Sequence, residues 1–358
     1  MNAIEKRLKN LRSKLKKSEA DALLVTKREN YIYLSGFTGT SAYLIITGSK
    51  ALLMTDFRYT EQAAAQAPEY TIVKYQGNII NTLKEILEEN GVGKLAFEDR
   101  SMTVNTYTEL REKLGVKDFT PFGSTIEELR QIKDEEEIKI IKRAVEIADE
   151  TFTYILGVIR PGIRETELAA EMEYHMKKLG ATGPSFDTIV ASGVRAAMPH
   201  GVASEKKLEA GDVITLDFGA LYKGYCSDMT RTVFLGSVKE ELRKIYGIVL
   251  DAQLRSKEGV KKGRTGKEID MIARKVIAEA GYGDHFGHGL GHAVGLEIHE
   301  EPRFSMACDT KIKDGMVMTV EPGIYVNGLG GVRIEDMVVV RGNSPETLTT
   351  STKELLIL

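Results

Sequence analysis

The chain has 358 residues, a length that suggests two domains, and 42% of its residues are hydrophobic, which is enough for sizeable cores. Its 49 basic and 52 acidic side chains leave a net charge of −3, so nothing in the composition favours nucleic acid or an anionic membrane as the main partner. No apolar run is long enough for a membrane span or a secretory signal, and the two isolated cysteines, Cys226 and Cys308, suit a reducing compartment. We therefore expect a cytoplasmic protein.

About the first 120 residues alternate between helix-like and strand-like patterns, as in an α/β layer domain. An amphipathic helix is predicted at 2–19, because Ile4, Leu8, Leu11 and Leu15 lie on one stripe. Strands are predicted at 22–26, 43–47, 51–55, 71–75 and 94–98, and helices at 59–66, 79–89 and 104–114. Turn residues at 121–124 mark the boundary, so we predict an α/β domain at 1–124 and a second domain at 125–358.

The second domain opens with an acidic helix start. Asp134 and the three glutamates after it load the first turn of a helix, where the helix dipole favours negative charge. Further helices are predicted at 165–179, 239–260 and 266–280. The strands between and after these helices carry nearly all of the unusual polar residues. This pattern indicates an α+β domain that holds the functional site.

Two aspartates lie in a predicted hairpin. Asp217 ends one strand, Asp228 begins the next, and a turn near 222–224 would fold the two strands together. We expect this hairpin to set Asp217 directly opposite Asp228. Like charges that face each other across a ladder are destabilising unless a cation lies between them.

A second hairpin near the C-terminus repeats this arrangement with glutamates. Strands are predicted at 317–321 and 331–335, and closure about residue 328 sets Glu321 opposite Glu335. Because side chains alternate along a strand, Arg333 should share the face of Glu335, and Asp336 should point away. Stability alone does not explain two hairpins that each carry a facing carboxylate pair.

Histidines cluster in the same half of the chain. Five of the six lie from residue 200 onward: His200, His285, His288, His292 and His299. For any one of them, a surface position in a glycine-rich loop is an equal alternative. The cluster taken together with four paired carboxylates favours a functional site.

Four carboxylates and an imidazole are typical ligands of divalent metals. Two such ions carry a charge of +4, which balances Asp217, Asp228, Glu321 and Glu335. Oxygen-rich ligation with one nitrogen favours manganese, cobalt, iron or zinc over a thiolate-selected metal. Two close ions can lower the pKa of a shared water and stabilise the oxyanion formed when an amide is attacked. The residues thus predict metal-assisted hydrolysis and leave the substrate open.

These stretches resemble those of the pita-bread metallopeptidases, the group that contains methionine aminopeptidase, prolidase and aminopeptidase P. The matching segments are the Asp217/Asp228 hairpin and residues 126–133, 191–193, 198–201, 288–302, 321–325 and 333–336. The resemblance implies a creatinase-type α/β N-terminal domain followed by an α+β pita-bread catalytic domain.

The resemblance also implies roles for individual residues. The implied metal ligands are Asp217, Asp228, His292, Glu321 and Glu335, with Asp228 and Glu335 as the bridging pair. His292 is chosen among the histidines because it stands seven residues before His299, as in the family pattern.

The implied catalytic and substrate-binding groups surround these ligands. His200, His288 and His299 resemble the histidines that hold the substrate amide and carbonyl. Glu321 resembles the ligand that also moves a proton from the attacking water to the leaving nitrogen, so Glu321, His200 and His299 form the catalytic set. Arg333 is expected to orient carboxylates or substrate.

The N-terminal domain narrows the expected activity. Residues 35–39 and 55–59 resemble the domain that precedes the catalytic domain in prolidase, aminopeptidase P and creatinase, and that methionine aminopeptidases mostly lack. The resemblance therefore implies cleavage of Xaa-Pro bonds, in dipeptides or at the N-termini of longer peptides. The alternatives are a metal-free C–N hydrolase of the creatinase type, disfavoured by the complete ligand set, and a non-catalytic pita-bread binding protein. The expected partners are short proline-containing peptides and a second copy of the chain in a homodimer.

Overall fold

The computed structural model describes residues 2–358, and the chain divides after Arg130 into two compact units. The first unit contains α1 (Ala3–Lys17), β1 (Ala22–Val25), α2 (Arg28–Ser35), β2 (Tyr43–Thr47), β3 (Ala51–Thr55), α3 (Thr60–Gln66), β4 (Thr71–Lys74), α4 (Ile79–Glu89), β5 (Lys94–Phe97), α5 (Val104–Lys113), β6 (Asp118–Pro121) and α6 (Thr125–Arg130). Its sheet has the order β4-β3-β2-β1-β5-β6, with β2 antiparallel to both of its neighbours. The predicted α/β domain is therefore present.

The first unit ends at Arg130, beyond the boundary predicted at 124/125, because α6 is hydrogen-bonded to α2. Tyr33 donates its hydroxyl to the carbonyl of Leu129 at 3.2 Å. The buried side chain of Arg130 donates to Oδ1 of Asn30 at 2.8 Å. Sequence reasoning took the turn at 121–124 for the domain boundary, but α6 follows that turn and completes the first unit.

The second unit contains α7 (Glu135–Leu156), α8 (Glu165–Lys178), β7 (Gly183–Pro184), β8 (Ile189–Ser192), β9 (Val213–Phe218), β10 (Ala220–Tyr222), β11 (Tyr225–Cys226), β12 (Met229–Phe234), α9 (Glu240–Gly259), α10 (Gly266–Glu279), β13 (Gly291–Ala293), β14 (Glu300–Phe304), β15 (Val317–Val320), β16 (Gly323–Val326), β17 (Gly330–Arg333), β18 (Asp336–Val339) and β19 (Glu346–Thr347). Asp134 caps α7 by accepting from the amide of Glu137, whose side chain bonds back to the amide of Asp134. Two of the acidic residues predicted at the start of this helix, Asp134 and Glu137, thus form a capping box.

Two sheets of the second unit carry the polar residues singled out above. One has the order β12-β9-β8, and the other has the order β14-β13-β15-β18-β19. Helices α7 and α8 pack on the first sheet around Phe152, Met172, Leu216 and Phe218. Helices α9 and α10 contribute to a second core that includes strands β15 and β18. Both cores are apolar, so the polar residues at the strand ends are supported by rigid packing.

Within residues 2–358, every helix is too short or too polar to cross a bilayer.

Candidate active site

The first hairpin brings its aspartates together in a register that differs from the predicted one. Asp217 pairs with Thr230, and the same register continues through β10 and β11, so Asp228 lies across from Gly219. The turn is centred between Lys223 and Gly224, which both have positive φ, as a two-residue type I′ turn requires. The two aspartates are therefore diagonal neighbours rather than opposite residues, and the prediction of direct opposition was wrong.

Gly219 is required by this register. A Cβ atom at position 219 would lie 1.8 Å from the carbonyl oxygen of Ser227, so only glycine lets the two chains approach here. The amide of Ala220 donates to Oγ of Ser227 at 2.8 Å and completes the contact. This close approach holds the segment that carries Asp228 against β9.

The second hairpin has the predicted register. Val320 pairs with Asp336, and Gly323 pairs with Arg333, so Glu321 lies opposite Glu335. Pro322 has no amide hydrogen, which accounts for the break between β15 and β16 next to Glu321. Asp336 points away from the site, as expected, and its carboxylate accepts from Arg231 at 3.0 Å.

The two hairpins meet at a cluster of carboxylates. Asp217, Asp228 and Glu335 each place an oxygen within 4.8 Å of the others. Burial raises the pKa of both Asp228 and Glu335 well above the ordinary carboxyl range, and neighbouring carboxylates raise it further. Burial also raises the pKa of Asp217, although Arg333 opposes the shift. In the absence of a cation, the cluster is therefore electrostatically unfavourable.

His292 is the histidine that reaches this cluster. It lies on β13 with only 6% of its surface exposed. Its Nε2 is 3.3 Å from Oε1 of Glu321 and 3.6 Å from Oδ2 of Asp228. Its Nδ1 faces the carbonyl of Ala293 at 3.1 Å, so a hydrogen on Nδ1 leaves the Nε2 lone pair facing the carboxylates. When Nε2 instead carries a hydrogen and donates it to Glu321, this contact lowers the pKa of Glu321 to about 2, although burial opposes the shift.

Three of the other histidines line a cavity of about 580 Å³ above the cluster, namely His200, His288 and His299. Asp217, Asp228, His292, Glu321 and Arg333 line the same cavity, and Glu335 lies behind them with 1% of its surface exposed. Burial lowers the pKa of both His288 and His299, so these imidazoles are neutral at pH 7. The structure thus brings together every site residue predicted from the sequence.

Arg333 connects the cluster to Tyr325, a residue to which the sequence analysis gave no role. Its Nη2 lies 2.6 Å from Oδ2 of Asp217, and its Nη1 donates to the hydroxyl of Tyr325 at 2.8 Å. The same hydroxyl lies 2.9 Å from Nε2 of His288. Tyr325 pairs with Gly331, so it is the diagonal neighbour of Arg333 on the same face of the hairpin, and the predicted register of this hairpin could have identified it.

Two buried carboxylate oxygens show that the cluster has room in its bonding for a cation. Oδ1 of Asp217 and Oε1 of Glu335 have no hydrogen-bond partner among the described residues. A buried acceptor without a donor is costly, and a metal ion satisfies it. The donor set is four carboxylates and one imidazole, which suits a hard or borderline divalent ion. The residues therefore fit such ions.

Comparison with known families identifies the chain. The model of metallopeptidase family M24 matches residues 139–342, and that of the creatinase/prolidase N-terminal domain matches residues 7–132. The chain belongs to metallopeptidase family M24. The enzyme class, the pita-bread fold and the requirement for divalent metal expected from the sequence are therefore confirmed.

Relatives of this M24 chain match it over nearly its whole length. A protein of Pyrococcus horikoshii named Xaa-Pro dipeptidase is 42% identical to it over 99% of this chain and 100% of the relative. The solved structure of an Xaa-Pro dipeptidase from Bacillus anthracis has 48% identity and a TM-score of 0.97, covering 99% of this chain and 100% of that one. That of an X-Pro aminopeptidase from Thermotoga maritima has 40% identity and a TM-score of 0.92, covering 97% and 100%.

Thr230 is a second site residue of this M24 chain that sequence reasoning did not assign. Its hydroxyl donates to Oε2 of Glu335 at 2.8 Å and accepts from Nε of Arg333 at 3.0 Å. It pairs with Asp217 across the ladder, so it stands at the point where the two hairpins meet. A correct register for the first hairpin would have placed it there.

Proposed function

We propose that this metallopeptidase hydrolyses the bond between an N-terminal residue and a following proline. The observation that carries the proposal is the cavity, whose base is the carboxylate and imidazole cluster and whose walls carry His200, His288 and His299. Relatives that match nearly the whole chain at 40–48% identity include two proteins named Xaa-Pro dipeptidase and one named X-Pro aminopeptidase.

The cluster would hold two divalent ions. The ligands would be Asp217, Asp228, His292, Glu321 and Glu335, with Asp228 and Glu335 shared by both ions. Manganese is the proposed metal, with cobalt, zinc and iron as alternatives. When bound, the ions supply Lewis acidity that lowers the pKa of water and polarises the amide carbonyl.

The chain's own groups bind the substrate and move its protons. Glu321 faces the cavity and would carry a proton from the attacking water to the leaving nitrogen of proline. The neutral imidazoles of His288 and His299, together with His200, would hydrogen-bond the substrate amide and carbonyl. Arg333 would hold Asp217 in place through their 2.6 Å contact.

The solved relatives include both an Xaa-Pro dipeptidase and an X-Pro aminopeptidase, so the test compares substrates of two lengths. The test is to assay an Xaa-Pro dipeptide, an Xaa-Pro-Yaa tripeptide and the matching Xaa-Ala peptides with manganese present. We expect only the two proline peptides to be cleaved. Faster cleavage of the dipeptide would indicate a dipeptidase, and faster cleavage of the tripeptide an aminopeptidase. Cleavage of neither proline peptide would overturn the proposal.

The assembly and compartment are proposed as well. We place the enzyme in the cytoplasm, where the free thiols of Cys226 and Cys308 would stay reduced. We propose a homodimer, which light scattering of the purified protein would show as twice the mass of one chain. Neither nucleic acid nor a membrane is a proposed partner.

A further inference from the structure

Glu165 is the first residue of α8, and its side chain is completely buried. Both carboxylate oxygens are used. Oε1 accepts from the amide and hydroxyl of Ser192 at 2.8 and 2.7 Å. Oε2 accepts from the amide and hydroxyl of Ser204 at 3.0 and 2.6 Å, and from Nε of Arg195 at 3.0 Å.

The two serines are the two ends of one loop. Residues 193–203 leave β8 after Ser192 and return at Ser204, and His200 lies between them and lines the cavity. Arg195 also braces the loop from within, because its Nη2 donates to the carbonyl of Val202 at 2.7 Å. One buried carboxylate therefore closes the loop that carries His200.

Apolar burial does little to hold the outer part of this loop. Val194, Met198 and Val202 are each more than half exposed. Its first turn is packed more tightly, because Ala196 lies so close to Gly331 of β17 that a Cβ at 331 would lie 2.2 Å from the Ala196 carbonyl oxygen. A segment with few buried contacts opens easily unless polar bonds fix it.

We propose that Glu165 is a positioning residue, which fastens both ends of the 193–203 loop and thereby sets the place of His200 in the cavity. The effect on catalysis rests on the proposed function, since it assumes that His200 binds substrate. The effect on the loop does not. Every group that Glu165 contacts here is a hydrogen-bond donor, so only a carboxylate satisfies both ends at once.

The test is Glu165→Gln in the full-length, metal-loaded enzyme. Glutamine keeps the size but turns one acceptor into a donor, so one end of the loop loses its partner. We expect amide hydrogen exchange across 193–203 to accelerate by at least about tenfold, the change that matches the loss of one charge-assisted hydrogen bond. We expect kcat/KM to fall by about 10- to 100-fold, as for a displaced substrate-binding group, with metal content unchanged.

Two further variants separate positioning from general damage. Glu171→Gln is the matched control, because Glu171 lies on the same helix and its side chain bonds Tyr154 rather than the loop. It should leave exchange and activity unchanged. Ser204→Ala removes one hydroxyl donor and keeps the backbone bond, so it should give a smaller effect in the same direction. This variant replaces Glu165→Gln in the test if Glu165→Gln does not fold.

A double-mutant cycle with His200→Ala completes the test. If Glu165 acts through His200, Glu165→Gln should lower kcat/KM by no more than about twofold in the His200→Ala background. Full additivity of the two losses, or unchanged exchange in the loop, would overturn the proposal. If the wild-type enzyme does not cleave Xaa-Pro peptides, the exchange measurement still decides whether Glu165 fastens the loop.

Discussion

Arg333 holds one oxygen of Asp217 and leaves the other bare. Nη2 of Arg333 lies 2.6 Å from Oδ2, whereas Oδ1 is buried without a hydrogen-bond partner among the described residues. The guanidinium thus fixes the orientation of the carboxylate and leaves its second oxygen as a free acceptor. This is the arrangement expected of a ligand whose geometry is set before the ion arrives.

We expect the purified enzyme to bind two divalent ions per chain and to lose its activity when a chelator removes them. Four carboxylates and one imidazole match the charge and ligand preference of two such ions. Elemental analysis of the purified protein, before and after dialysis against chelator, measures both the number and the identity of the ions. Full peptidase activity in a protein shown to contain no metal would contradict the prediction.

The metal-free protein should lose stability as the pH rises. The pKa of Asp228 and Glu335 is raised in the folded state, so the folded protein holds protons more tightly than the unfolded chain. The free energy of unfolding therefore falls from about pH 4, the ordinary carboxyl pKa, up through the raised values. Each tenfold difference in proton affinity between the folded and unfolded states corresponds to about 1.4 kcal/mol. Urea titrations of the metal-free protein at a series of pH values measure the slope.

Asp228→Asn isolates this effect. Without metal at pH 7, the variant should unfold at a higher urea concentration than the wild type, because asparagine removes a carboxyl group that is costly to bury whether it stays charged or takes up a proton. With metal present the order should reverse, since the variant has lost a ligand. If the metal-free wild type is more stable than the variant at pH 7, the buried carboxylates do not destabilise the fold.

Two neighbouring histidines should behave differently when replaced. The rings of His292 and His299 are 4.5 Å apart, but Nε2 of His292 faces the carboxylates. His292→Ala should lose metal from one site together with activity. His299→Ala should keep its metal and lower kcat by about 100-fold, on the scale of a lost oxyanion donor. Metal loss from the His299 variant alone would show that the ligand is the other histidine.

Lys133 should be essential to stability. Its Nζ lies 2.9 Å from Oε2 of Glu300, and the two side chains are only 1% and 6% exposed. Lys133→Met removes the cation from a buried pair and should lower the free energy of unfolding by about 3–5 kcal/mol in urea titrations. The control is Lys139→Met, which breaks an exposed pair with Glu136 and should cost less than about 1 kcal/mol. Equal losses in the two variants would refute the prediction.

The amphipathic helices and hydrophobic strands of the fold were predictable from the sequence. The helix at 79–89 and the strands at 43–47 and 51–55 have the predicted bounds, because their apolar periodicity is unambiguous. Helices α2 and α6 were not predicted. They are short, and α2 begins where the buried carboxylate of Glu98 accepts from the amide of Lys27 at 2.8 Å, a contact between distant residues.

The site was predictable where the turn was predictable. Glu321 and Glu335 were placed correctly because the turn about Gly328 has a clear signal. Asp217 and Asp228 were misplaced because the centre of the type I′ turn was assigned to the wrong residue, and a shift of one residue in the centre moves each partner by two. Glu165 and Lys133 could not be found from the sequence, since their partners are far along the chain.

The hydrogen bond from Thr230 to Glu335 joins residues 105 positions apart. Each hairpin can close locally, but the binding site exists only after the long intervening segment has folded back. That loop closure costs entropy before any site contact forms, so the site should assemble late in folding. An ion held by ligands from both hairpins would then stabilise the product of this last folding step, and the metal concentration would set the fraction of chains whose catalytic domain is folded.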